Sequence, residues 1–154
     1  MAANTSDAKA PADLPWLNRD NGDFCFMPDF VVRRDMSIND IPENSFDRQD
    51  YQCNDNEDIA DFKPKQVLKL NDNKWHLTIR FRNAKLNEVY FEIYSQVILK
   101  MTDDEYYDSG EFRYKFCKQV LLNLCPKPHK FSWGKLKTYH QPQDTSTGIC
   151  ITYK

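Results

Sequence analysis

Five cysteines and three histidines are the side chains in this sequence best suited to hold a metal or to attack an electrophilic carbon. Cys117, Cys125 and His129 stand in a C-x7-C-x3-H arrangement. Structural zinc sites draw on closely paired ligands such as C-x2-C, and no such pair is present. Cys117 falls on the apolar side of a helical pattern, where a free thiol packs as a small hydrophobic group. The expectation is therefore no metal and no cofactor. Nucleophilic catalysis needs a Cys or Ser beside a base that a third group holds in place. His76, His129 and His140 lie near strand ends or in loops, and neither G-x-S-x-G nor H-E-x-x-H occurs. Only 4 glycines are present, which leaves no glycine-rich loop of the usual kind to cradle a phosphate. Asp103, Asp104 and Glu105 sit together in a polar stretch that reads as a solvated loop. The chain is expected to be non-catalytic, with a small Cys–His enzyme ranked third among the possible functions.

A second chemistry lies in the cations and aromatics. Residues 109–138 carry 7 Lys/Arg against one acid, Glu111, and Tyr114, Phe131, Trp133 and Tyr139 are interleaved with them. The segment Lys74–Leu99 adds Arg80, Arg82, Tyr90 and Tyr94 along one side. Proteins that bind single strands combine a cationic groove with aromatic platforms for the bases. The set for that reading is Arg80, Arg82, Tyr90, Tyr94, Arg113, Lys115, Lys118, Lys130, Trp133, Lys135 and Lys137. Against it, Glu92 lies within the aromatic series, and the whole chain has a formal charge of −2. Arg and Tyr are also ordinary outward residues on a strand, where a cross-strand pair contributes about 0.2–1 kcal/mol. Single-stranded DNA or RNA is accordingly the alternative partner.

The charge is unevenly placed. Residues 1–63 hold 6 Lys/Arg against 14 Asp/Glu, a net of −8, and residues 64–154 hold 15 against 9, a net of +6. Residues 1–14 are small and polar without periodicity and read as a disordered tail. Residues 15–63 form an acidic segment with aromatic anchors: Trp16, Phe24, Phe26, Phe30, Val31 and Val32. So many apolar side chains do not stay in water on a monomer. They complete this protein's own core or bury in that of another protein. The leading expectation is a non-catalytic binding subunit or adaptor in a hetero-complex, with residues 15–63 as an arm or partner-binding region.

Residues 64–154 must position the rest. "KQVLKL" reads as a strand and "NDN" as a turn. In "KWHLTIRFR", Trp75, Leu77, Ile79 and Phe81 alternate with polar residues, the period of a half-buried strand. "NAKLN" has the length of a hairpin loop. Val89, Phe91, Ile93, Val97 and Leu99 continue as a core series, with a bend or bulge at Ser95. Asp108 and Glu111 suggest a capping box before a helix in which Phe112, Phe116, Val120 and Leu124 recur at four-residue steps, with Cys117 and Leu121 beside them. Pro126 and Pro128 end that helix. "FSWGKLKTYH" and "ICITY" read as the last strands.

The predicted fold class is mainly β (α+β): an antiparallel five-stranded sheet or OB-like barrel with one helix after the third strand. The element order resembles the OB-fold, whose second and third strands would present the Arg80–Tyr90 side to a nucleic acid. The same elements also fit an ordinary antiparallel sheet or a β-sandwich. No apolar leader and no run of about 20 apolar residues is present. Five scattered cysteines then suggest a soluble intracellular protein with free thiols, nuclear or cytoplasmic rather than secreted.

Overall fold

The structure is a computed structural model and describes residues 14–54, 56–141 and 146–154. Strands take up 49% of the residues and helices 21%, so the protein is mainly β, and every strand pair is antiparallel. The first three strands, β1 (Trp16–Leu17), β2 (Phe24–Met27) and β3 (Phe30–Val32), form a small sheet of their own. The large sheet begins with β4 (Phe46–Cys53) and β5 (Glu57–Pro64), which pair in full register from Phe46↔Pro64 to Cys53↔Glu57. It continues with β6 (Leu68–Leu70), β7 (Asn73–Arg82) and β8 (Lys85–Tyr94). Three helices follow: α1 (Gln96–Leu99), α2 (Asp103–Asp108) and α3 (Gly110–Leu124). The last strands are β9 (Lys130–Phe131), β10 (Gly134–Gln141) and β11 (Ser146–Tyr153). The spatial order is β4-β5-β7-β8-β11-β10-β9, with β6 on the β7 edge.

Local chemistry accounts for the tight connections. Asn71 and Asp72, at φ 52° and 64°, join β6 to β7, and Asn83 and Ala84, at 51° and 65°, join β7 to β8. Two successive left-handed residues make the turn whose twist matches a hairpin, and Asn and Asp tolerate that conformation well.

One face of the large sheet is the core. Trp75, Leu77, Ile79 and Phe81 of β7, Val89, Phe91 and Ile93 of β8, and Ile149, Ile151 and Tyr153 of β11 are all buried. The small sheet lies over them. Phe24 stacks on Phe91 with ring centroids 5.7 Å apart and planes 5° from parallel, and Phe26 meets Phe46 edge-on at 6.3 Å. Gly22, at φ 84°, lets the Trp133 ring lie where a side chain would otherwise be. Beside the small sheet, α3 closes the same face through Cys117 and Leu121.

Several expectations change here. The sheet has eight strands and does not close into a barrel or stop at five: β4 and β9, at its two ends, do not pair with each other. The helix α3 follows β8, the fifth strand of the large sheet in chain order. The boundary placed at 63/64 falls at the end of β5, inside that sheet. The strand β4 gave no periodic signal because after Phe46 nearly all of its side chains are exposed on both faces, as suits a polar edge strand. Val97 and Leu99 are not core: Ser95 caps α1 by accepting from the Ile98 N–H, and the two residues are 60% and 45% exposed. The acidic stretch Asp103–Asp108 is helical, opened by a Thr102–Glu105 capping box. No such box forms at Asp108, since Ser109 is the residue before α3. The predicted tail 1–14 lies outside the described residues except for Leu14.

Candidate binding site on the uncovered sheet face

The middle of the other face of the large sheet opens as a hollow, while at one end Tyr106 of α2 stacks on Tyr94 with ring centroids 6.5 Å apart; the strand registers arrange the face as rows. Asp61, Arg80, Glu88, Thr152 and Lys135 run across β5, β7, β8, β11 and β10. Two residues along each strand, Thr78, Tyr90, Cys150 and Lys137 make the next row. His76 pairs with Glu92 in the third row, where Tyr139 lies opposite Gly148. Small side chains at Thr78 and Cys150, on either side of Tyr90, leave the middle of the face hollow, whereas the Tyr139 ring lies over Gly148. The hollow measures about 760 Å³ and extends to Lys63, Lys65 and Lys74 on one bank and Lys137 on the other. That volume lies in the range of ordinary ligand clefts, roughly 300–1,000 Å³.

Arg80 is the hydrogen-bonding centre of the floor. Arg80 Nε donates to Asp61 Oδ1 at 2.8 Å and Nη2 to Oδ2 at 3.0 Å, while Nη1 reaches Glu88 Oε1 at 3.4 Å. Nη2 also lies 2.8 Å from the Tyr51 hydroxyl and 3.1 Å from that of Tyr90. The hydrogen bonds to Asp61 hold the guanidinium firmly in its charged form. Tyr94 donates to Glu92 Oε1 at 3.2 Å, and burial together with that carboxylate pushes its phenol upward. Burial raises the Tyr139 phenol in the same way. Burial, then the charges of Lys74 and Lys63, lower His76 below the usual imidazole range, with Glu92 opposing them.

The same face holds one thiol. Cys150 Sγ lies 3.5 Å from Glu88 Oε2, and burial beside that carboxylate pushes the thiol up to about 12. Cys117, beneath α3, is also pushed up to about 12 by burial. Thiols of that kind are protonated at neutral pH and are poor nucleophiles. His129 Nε2 is 2.7 Å from the Cys125 carbonyl oxygen, not aimed at a sulfur. Among the described residues, no group of three His, Cys, Asp or Glu is placed to hold a metal ion.

The structure divides the cation–aromatic set. Arg80, Tyr90, Lys135 and Lys137 come together on the uncovered face, with Tyr94 at its end. Arg82 lies farther along β7, its Nη1 3.2 Å from Glu57 Oε1. Arg113 is 3% exposed and is not a surface cation. Its Nε donates to Ser109 Oγ at 2.9 Å, Nη1 to Thr147 Oγ1 at 3.1 Å and Nη2 to the Tyr106 carbonyl at 3.2 Å, with the guanidinium 4.0 Å from the Tyr106 ring centroid. Trp133 is 1% exposed, donates to the Arg19 carbonyl at 2.8 Å and stacks on Phe131, so it offers no platform to a base. Lys115, paired with Glu111 at 3.0 Å, and Lys118, over the Tyr114 ring, belong to α3 on the covered side. Lys130 is exposed on β9.

The aromatic anchors go elsewhere than to a surface. Phe24, Phe26, Phe30 and Val32 are buried in this chain's own core, so in the folded protein they are not presented to a partner. Trp16 and Val31 are half-buried. Sequence reasoning missed Asp61, Lys63, Lys65, Lys74, Thr78, Glu88, Tyr139 and Cys150 as members of one site. The alternation in β7 and β8 carried the only usable signal, and it said nothing of which strands lie alongside. No known protein family, no curated protein and no solved structure matches this chain. No described helix is long and apolar enough to cross a membrane.

Proposed function

We propose that this protein is a non-catalytic binding subunit or adaptor that acts through protein–protein interaction, and that the uncovered sheet face is where its partner docks. The observation that carries this reading is the 760 Å³ hollow itself, preformed on a rigid sheet and rimmed by tyrosines and charges of both signs. Tyr and Arg are the residues that protein interfaces favour, and a rigid two-torsion phenol loses little entropy on contact. The protonated thiols of Cys117 and Cys150 and the self-satisfied floor speak for binding over covalent chemistry. Five free thiols fit a reducing compartment, nuclear or cytoplasmic. The single-strand reading loses support with Arg113 and Trp133 inside the fold and Lys115 and Lys118 on the covered side.

A photo-crosslinking residue at Gln141, which lines the hollow, and another at Leu122, exposed on α3, test this in the full chain in cell extract. The expected result is a discrete adduct from Gln141 that protease removes and nuclease does not, with none from Leu122. No adduct at Gln141, or adducts that nuclease removes, would overturn the reading.

A further inference from the structure

We infer that the segment this face receives is acidic, about six residues long and extended across the strands; the inference rests on the docking reading above. The acids of the floor are already engaged: Asp61 and Glu88 by Arg80, Glu92 by the Tyr94 hydroxyl. The lysines on the banks are not. Among the described residues, Lys63, Lys65, Lys74 and Lys137 have no carboxylate within 4.0 Å, although they line one hollow. Five cations, Lys63, Lys65, Lys74, Arg80 and Lys137, line the hollow against two acids, Glu88 and Glu92, with Asp61 beside Arg80, so the balance stays positive and its field favours a ligand of the other sign.

Spacing sets the length. Lys63 on β5 and Lys137 on β10 are separated by four strand intervals of roughly 4.8 Å, about 19 Å in all. An extended chain covers that distance in about six residues at roughly 3.3 Å each. Acids near its ends would meet the lysine banks, and its middle would cross Tyr90 and Cys150. Between the banks lie Glu88 and Glu92, which repel an unbroken line of phosphates. A peptide can place neutral residues there and a polynucleotide cannot, so the acidic peptide is the better occupant.

The probe is a fluorescein-labelled Glu-Glu-Ser-Ser-Glu-Glu peptide, titrated with the full chain by anisotropy at low and at physiological salt. The controls are Lys-Lys-Ser-Ser-Lys-Lys and hexathymidylate. The acidic peptide is expected to bind, more weakly as salt rises, and the basic peptide not to bind. The pair Lys63→Glu and Lys137→Glu should weaken binding by about tenfold or more, equivalent to about 1.4 kcal/mol. The pair Lys115→Glu and Lys118→Glu on α3 should leave it unchanged. Circular dichroism checks that both variants are folded, and Lys137→Gln offers a milder change. Absence of binding, stronger binding of hexathymidylate, or an equal loss in the α3 pair would overturn the inference. If Gln141 still gives its protein adduct, the acidic preference alone fails. If both results are negative, the docking reading fails with it.

Discussion

At the scale of the residue, the decisive fact is which polar groups are already occupied. Arg80 looks like a ligand-binding cation on a strand, yet Asp61, Glu88 and two phenols surround it. A guanidinium engaged in this way organises the floor and contributes little free charge to a ligand. Lys63, Lys65, Lys74 and Lys137, which among the described residues have no carboxylate within 4.0 Å, are the ones left to act at a distance. The cysteines divide in a comparable manner. Cys25, Cys117, Cys125 and Cys150 are buried, and only Cys53 is partly exposed. Burial raises Cys25 and Cys125 and pushes Cys117 and Cys150 up to about 12, so at pH 8 these four remain protonated as well as shielded. A thiol-reactive disulfide reagent at pH 8 should therefore modify Cys53 rapidly in the native protein, and the other four only on unfolding. Mass mapping of the modified chain reads this out. Rapid labelling of Cys150 would instead point to an activated thiol and revive the Cys–His enzyme.

At the scale of the element, α3 is a recognised helix whose expected apolar side holds except at its first residue: Phe116, Val120 and Leu124 pack against the core beside Cys117 and Leu121, and Phe112 does not. Phe112, Phe116, Val120 and Leu124 form a tidy four-residue ladder in sequence. In the fold the buried line is Arg113, Cys117 and Leu121, and Phe112 is 48% exposed. The burial of Arg113 at the head of this line was the part not legible, because a charged residue at a core position breaks the apolar pattern, and its compensation comes from Ser109, Tyr106 and Thr147, the last of these on β11. The helix lies so that this side chain reaches those groups, which a ladder centred on Phe112 would not allow. The consequence is measurable by urea denaturation. Leu121→Ala should cost about 2–4 kcal/mol through lost burial and a cavity. Phe112→Ala should change stability by about 0.5 kcal/mol or less, as exposed substitutions do.

At the scale of the whole molecule, residues 14–45 are structural, and their acidic, aromatic composition was only half informative. The small sheet covers the core face that β7, β8 and β11 would otherwise expose, and the Phe24–Phe91 stack joins the two sheets. One face of the large sheet is thereby closed, and the hollow lies on the other, where the proposed partner would dock. Phe24→Ala should destabilise the protein by about 3–5 kcal/mol. In thermal unfolding the loss would appear as a lower midpoint, by roughly 2–4 °C for each kcal/mol in a chain of this size. A variant that kept its stability and lost a bound protein would mean that Phe24 serves an interface after all.

The sequence by itself determined the mainly β class, the strands from Leu68 to Tyr94 and at the C-terminal end, the existence of the long helix and which side of β7 and β8 faces the core. Each of these follows from side-chain direction alternating along a strand or recurring along a helix, a property carried by neighbours in the chain. Tertiary structure alone decided that β4 and β5 extend the sheet, that Phe24, Phe26, Phe30 and Val32 close this protein's own core, and that Arg80 is ion-paired while, among the described residues, Lys63 and Lys137 are not. Those outcomes depend on partners far apart in the chain: Arg80 with Asp61, Phe24 with Phe91, Cys150 with Tyr90. Periodicity records which way a side chain points, whereas the pairing of distant strands sets what it meets there.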